Sequence, residues 1–231
     1  MAELIYLDRG REEYTRTLAL QQRLVQEVTA AQDEKAYLVL MEHDPPVITL
    51  GRAADERNVL AAPAQLQAEG IAVHRITRGG DVTYHGPGQL VAYPILRVDR
   101  RSGGVREYLR LLEEVVIGVL GELGIEGVRV AGRTGVWVGD EKVAAIGVAV
   151  RRWVSYHGLA LNVCPNLSHF DLIVPCGLAD KKVTSVSRLL GRDVSVSQAK
   201  PLLREWTVKV FGFDRAREAT EEEANSRDER R

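Results

Sequence analysis

Cysteine is scarce in this chain, with Cys164 and Cys176 the two among 231 residues. That is too few for a disulfide framework at this size, so each is judged as a thiol. Long apolar runs are missing as well. None approaches the roughly 18 residues that a membrane-spanning helix requires, and Met1-Ala2-Glu3-Leu4-Ile5-Tyr6 has no basic segment leading into an apolar one, so no secretory signal is read. The expected location is cytoplasmic, with no membrane partner. Charge of one sign is also lacking: 31 Lys and Arg face 32 Asp and Glu, a net charge of −1. Nucleic-acid binding, which shows as a basic excess, is not expected.

Signatures of nucleotide chemistry are absent too. There is no Gly-x-x-x-x-Gly-Lys-Ser/Thr run, and Arg78-Gly79-Gly80 is not a dinucleotide fingerprint. No Gly-x-Ser-x-Gly elbow supports a serine nucleophile. Cys164, His169 and Cys176 lie near one another, but their spacing matches none of the common zinc patterns. Neither a metal nor a cofactor is expected.

What is present is an ordinary globular composition, 45% hydrophobic and 27% charged. Strands are expected at residues 3–8, 37–41 and 47–50. Helical spacing of Leu18, Leu24, Val25 and Val28 marks a helix over 12–32. Pro63 early and Gly70 late frame a short helix, and Tyr108, Leu112, Val115, Val116 and Val119 give residues 105–123 an apolar helical face. A β-rich stretch follows, with Gly139-Asp140 as a hairpin turn. Residues 143–150 are apolar at odd and even positions, as in a strand covered on both faces. Helices are expected at 183–190 and 198–211, the second capped by Ser197. Strands and helices interleave without a strict βαβ rhythm, which implies an α/β fold with mixed β-sheets flanked by helices. Residues 1–213 read as one domain, and the charged 214–231 as a frayed helix or disordered tail.

The most distinctive stretch is Arg78-Gly79-Gly80-Asp81-Val82-Thr83-Tyr84-His85-Gly86-Pro87-Gly88-Gln89. A loop that merely turned a hairpin would need one Asn-Gly or Asp-Gly pair. Repeated glycines suit a backbone that lies close to a ligand and adopts positive φ, and the polar side chains between them suit a binding loop. Elsewhere, Cys176 stands between Pro175 and Gly177, on a turn where a thiol can meet a substrate. Cys164 reads as the inert thiol. A nucleophilic thiolate needs a nearby cation; His85, His157, His169 and Lys142 are the candidates. If the Lys142 amine points inward it can act as base or cation. A surface lysine is the ordinary alternative, and periodicity does not decide between them.

Four blocks of this sequence closely resemble the lipoyl(octanoyl) transferase family, which is related to the biotin and lipoate protein ligases. They are the twelve residues above, Lys142-Val143-Ala144-Ala145-Ile146-Gly147, Tyr156-His157-Gly158-Leu159-Ala160-Leu161-Asn162, and Pro175-Cys176-Gly177. One departure is Cys164-Pro165, where Asn-Pro is the family pattern. The resemblance implies a fold like the catalytic core of those ligases. It implies transfer of an octanoyl group from octanoyl-acyl carrier protein to a lysine of lipoate-dependent enzyme subunits, the first step of protein lipoylation. The acceptors would be lipoyl domains of 2-oxoacid dehydrogenase complexes and the glycine cleavage H protein. By position, Cys176 would carry the acyl thioester and Lys142 would lower the thiol pKa and serve as base. Arg78, Gly79, Gly80, Asp81, Val82, Thr83, Tyr84 and His85 would line the acyl pocket. So would Ala145, Ile146, Gly147, Gly158, Leu159 and Ala160, their small members leaving width for a linear chain. Asp81 and His85 would orient the loop rather than take part in chemistry. Arg97, Arg100, Arg101, Arg106, Arg110 and Arg151-Arg152 read as a solvated face or as a surface that steers an acidic carrier protein. The competing readings are an ATP-dependent ligase on the same core, an amidotransferase between lipoyl domains, and an acyl-binding module without activity.

Overall fold

The computed structural model describes residues 2–32, 34–174 and 182–225. Strand β1 (Glu3–Glu12) runs into helix α1 (Tyr14–Ala30), which returns the chain to β2 (Ala36–His43), parallel to β1. Next come β3 (Val47–Leu50), the short helix α2 (Pro63–Ala68) with proline in its first turn, β4 (Ala72–Arg75), β5 (Val82–His85) and β6 (Gln89–Ile95). Helices α3 (Val98–Arg101) and α4 (Val105–Glu122) precede β7 (Val128–Val130), β8 (Arg133–Val138), β9 (Glu141–Arg151) and β10 (Val154–Asn162). Helices α5 (Val186–Leu190) and α6 (Val196–Phe211), strand β11 (Arg215–Glu218) and helix α7 (Glu221–Asn225) follow.

Among the described residues the strands form two mixed sheets. The larger has eight strands in the order β11-β1-β2-β6-β10-β9-β8-β7, parallel across the first three and antiparallel beyond. The smaller is β4-β3-β5. Side-chain alternation along the central strands sends Leu38, Leu40, Leu90 and Ala92 to the face covered by α4 and α6. Tyr37, Val39, Met41, Val91, Tyr93 and Ile95 go to the face covered by α1. Burying one such side chain stabilises by about 1.5–3 kcal/mol, so both faces contribute and the strand centre is dry. The mixed α/β architecture therefore follows from the pattern read in the sequence.

Four local expectations are changed. Residues 78–89 are not one hairpin loop: Val82–His85 is a strand paired antiparallel to β3, while the segments flanking the stretch join different sheets. Ser195, not Ser197, caps α6; its backbone N–H donates to Gln198 Oε1 at 2.8 Å, closing a capping box. Strand β9 lies inside the sheet as expected, but Ala145, Ile146 and Gly147 are only half-buried. Within the charged tail, Arg215–Glu218 forms a strand that extends the sheet beside β1. Arg217 donates to Glu3 at 2.8 Å and to both Glu223 oxygens at 2.8 and 2.9 Å.

Those bonds from Arg217 hold the Glu223 carboxyl down to about 2 from its ordinary 4.5. A depressed acid stabilises above its ordinary pKa and loses that contribution as pH falls toward the folded value. Docking of the tail should therefore weaken between about pH 4.5 and 2. Protection factors of the Arg215–Glu218 amides, corrected for the intrinsic pH dependence of exchange, should fall over that window before those of the central strands do, and Arg217→Ala should remove the effect.

Candidate active site

The antiparallel register of β9 and β10 pairs Ala145 with Ala160, Ile146 with Leu159 and Gly147 with Gly158. Two tripeptides expected to share a pocket are thus cross-strand neighbours. The 78–81 segment is laid over β9 by backbone bonds. Gly79 N–H donates to Val148 O at 2.8 Å, and the N–H groups of Gly51, Arg52 and Ala53 donate to the carbonyls of Asp81, Arg78 and Gly80. Glycine is needed where the segments touch. A Cβ on Gly147 would stand 3.1 Å from Arg78 Cδ and Gly79 O, and one on Gly158 would meet Ala92 O at 2.2 Å. Their missing side chains admit protein backbone, not width for a chain as expected.

These elements enclose a cavity of about 720 Å³. Arg78, Gly79, Gly80, Asp81, Thr83 and His85 line it, with Ala145, Ile146, Gly147, Gly158, Leu159, Ala160 and Lys142. Val82 and Tyr84 do not. They alternate with Thr83 and His85 along β5 and point into the cluster of Ile48, Leu50 and Phe170. Tyr84 shares a 2.7 Å hydrogen bond with His169, which is held outside the cavity lining with Asn166 on its other nitrogen. Cys176, with Pro175 and Gly177, lies outside the described residues.

Lys142 stands at the head of β9 with its backbone clamped: its N–H donates to Lys182 O and its carbonyl accepts the Thr184 N–H, both at 3.0 Å. Its Nζ donates to Thr134 O at 3.3 Å and lies 4.9 Å from the Trp137 ring centroid. Lys142 is thus one of the residues lining the cavity, half-buried and with its amine bond on the exposed side.

Arg78 is 7% exposed. Its guanidinium donates to Thr49 O at 2.6 Å, to Thr49 Oγ1 at 3.0 and 3.2 Å, and to Gly79 O at 3.1 Å. Asp81 accepts from Val82 N–H and Asn58 Nδ2, and so orders the adjoining turn. His157 has a φ of +57°, a left-handed conformation that costs about 1–3 kcal/mol outside glycine. Its N–H donates to Gln21 Oε1 at 2.8 Å. Burial, then the Arg78 cation, lowers the His157 pKa from 6.5 to about 4. Burial is also the main cause of the His85 pKa lying well below 6.5, with His43, Arg78 and His157 adding to it. Both rings are neutral at physiological pH.

Several site residues carried no signal in the sequence. Tyr14 at the start of α1 and Tyr93 on β6 line the cavity, as do Leu109 of α4 and Arg133. Behind them His43 Nε2 meets Tyr93 Oη at 2.7 Å. Of the arginines read as a solvated or docking face, Arg97, Arg101 and Arg110 pair with Asp99, Glu34 and Glu113. Among the described residues no cluster of three or more His, Cys, Asp or Glu could hold a metal ion, and no helix is long and apolar enough to cross a membrane.

A mixed α/β core carrying this cavity defines a class, and comparison places the chain in it. The lipoyl protein ligase A/B catalytic domain model matches residues 13–207, and the chain belongs to that family. The octanoyltransferase of Alkaliphilus metalliredigens is 46% identical over 206 residues, 89% of this chain and 94% of its own. That of Chloroflexus aurantiacus is 48% identical over 208 residues, 89% and 92% of the two chains. Among solved structures, a putative lipoate protein ligase from T. acidophilum superposes with a TM-score of 0.74 at 19% identity, covering 96% of this chain and 91% of that one. A lipoate-protein ligase A bound with ATP gives 0.68 at 18%, covering 96% and 91%. These two likenesses show the shared fold.

Because the Arg78 cation opposes protonation of His157, Arg78→Gln should raise the His157 pKa above about 4 while burial keeps it below 6.5. An NMR titration of the imidazole signals reads this directly. An unchanged pKa means that burial alone sets it.

Proposed function

We propose that this chain is an octanoyltransferase that moves an octanoyl group from acyl carrier protein to a lysine of a lipoyl domain, through a thioester on Cys176. The observation that carries the reading is the cavity of about 720 Å³ with Lys142 in its wall, in a chain 46–48% identical to octanoyltransferases over 89% of its length. The acceptors are lipoyl domains of 2-oxoacid dehydrogenase complexes and the glycine cleavage H protein, and the reaction takes place in the cytoplasm.

The chemistry follows from the groups available. The Cys176 thiol gives its proton to the Lys142 amine, and the resulting ammonium stabilises the thiolate. The thiolate attacks the carrier thioester: the bond from Cys176 Sγ to the acyl carbon forms, the bond to the carrier sulfur breaks, and that sulfur takes the proton back from Lys142. Exchange of one thioester for another is nearly balanced, so no nucleotide is consumed. The acceptor lysine, as the free amine, then attacks. Its nitrogen bonds to the acyl carbon, the bond to Cys176 Sγ breaks, and Lys142 takes the amine proton. Cys164 is unsuited to this role, since partial burial followed by Glu42 and Asp193 raises its pKa above 9.0.

Incubation with octanoyl carrier protein, without nucleotide, should add one octanoyl group by intact mass, removable by hydroxylamine. Cys176→Ala should abolish the adduct and Cys164→Ala retain it. An adduct confined to Cys164, or a requirement for ATP, would falsify the assignment. Lys142→Ala should slow acylation and move its pH dependence upward, because the thiol loses its cation. A rate equal to wild type at neutral pH would reduce Lys142 to a strand-end lysine.

A further inference from the structure

His85 was expected only to orient its loop. Its surroundings give it a more specific state. Its Nδ1 lies 3.2 Å from Gln89 Oε1. The Gln89 amide is oriented by two acceptors, since its Nε2 donates to Tyr84 O at 3.2 Å and to Asn162 Oδ1 at 3.0 Å. Asn162 is oriented in turn, because its Nδ2 donates to Thr184 O at 3.0 Å. Thr184 N–H donates to Lys142 O at 3.0 Å. Every member therefore has a fixed direction. Gln89 Oε1 can only accept, so His85 Nδ1 carries the ring proton and Nε2 is a bare lone pair.

The chain of bonds runs from the backbone of Lys142, across β10 and β6, to a ring that lines the same cavity. Gln89 is 1% and Asn162 4% exposed; buried amides with both ends satisfied do not flip freely. The cations and rings that face His85 are Arg78, His43 and His157, and with burial they keep it neutral.

A bare imidazole nitrogen can receive a hydrogen bond but cannot give one. Toward the acyl group this is restrictive. The thioester carbonyl oxygen is itself an acceptor, and it gains negative charge in the transition state, so Nε2 repels it. The group that fits Nε2 is a hydrogen-bond donor, and an N–H donates more strongly than the S–H of a thiol. In the reaction proposed above, the reacting group of that kind is the amine of the acceptor lysine.

We propose that His85 receives an N–H of the incoming lysine through Nε2 and orients the amine within the cavity that Lys142 also lines, in a tautomer fixed by Gln89, Asn162 and Thr184. No covalent bond to His85 forms, and the amine proton still leaves to Lys142. The inference rests on the octanoyltransferase reading. It adds a residue whose main contribution falls in the second half-reaction.

The test separates the two half-reactions in the full-length protein. Octanoyl carrier protein loads the enzyme in a single turnover, and a lipoyl domain is then added. Two amide substitutions divide the functions of the ring. His85→Asn keeps a donor near Nδ1 for Gln89 but lacks the acceptor in the cavity, whereas His85→Gln sets an amide oxygen near the position of Nε2. His85→Asn should slow acyl transfer about 100-fold, the order of a misplaced reactant, with a smaller loss in acylation. His85→Gln should recover about tenfold of that deficit. If His85→Asn transfers as fast as His85→Gln or faster, the ring is structural and the proposal fails. It fails equally if the loss falls on acylation, which would assign Nε2 to an amide N–H of the carrier's thioester arm. The unaltered protein offers an independent reading: ring ¹⁵N shifts should show His85 protonated at Nδ1 at neutral pH, and an Nε2–H tautomer overturns the inference. Absence of any Cys176 thioester in wild type defeats the octanoyltransferase reading itself, whereas a normal thioester whose transfer ignores His85 defeats this inference alone.

Discussion

The site depends on one pairing, the antiparallel register of β9 against β10. It sets Gly147 beside Gly158, and those two positions are where neighbouring backbone comes too close for a side chain. On one side Arg78 and Gly79 lie over Gly147; on the other Ala92 presses on Gly158. A slip of one residue would turn every side chain of a strand to the other face. It would place Leu159 or Ile146 where there is no room for either. The same register sets Lys142, at the start of β9, beside the end of β10 that bears Asn162, and the pairing of β10 with β6 places Asn162 opposite Gln89.

Electrostatics in the cavity follow from burying a guanidinium there. Arg78 is held by the carbonyl and hydroxyl of Thr49, so its charge is fixed in place among groups that water does not screen. Neutral forms of the neighbouring histidines are then favoured, as burial alone already favours them. The Lys142 amine is placed differently, beside the Trp137 ring. The cavity wall thus holds a fixed cation at Arg78 beside two histidines kept neutral.

Much of this was legible in the sequence, for identifiable reasons. The glycines of 78–89 and the doubly apolar β9 are local signals, and local signals survive without a structure. The mixed sheet could be read from the irregular alternation of elements. Val82 and Tyr84 were misassigned because a binding loop has no period, whereas the strand that forms there alternates. The tail's strand was hidden because Arg217 finds its partners at Glu3, near the other end of the chain. Gln89 and Asn162 look like unremarkable polar residues until β6 and β10 are paired. Tyr14 and His43 enter the site the same way, from elements whose mutual placement no spacing encodes. The segment containing Cys176 lies outside the described residues, so its motif is known as sequence only.

The strand order β2-β6-β10 has a kinetic consequence. Strand β6, at the centre of the larger sheet, has β2 from early in the chain on one side and β10 from much later on the other. Such pairings close long loops before they gain contacts, and they form slowly. The meander from β7 to β10 can assemble from its own neighbours, but it provides only one wall. The opposite wall, carrying Arg78 and His85, is fixed when β3 and β5 pair and lie against β9. A chain that lacks this last pairing therefore has Lys142 on one wall and no wall opposite it.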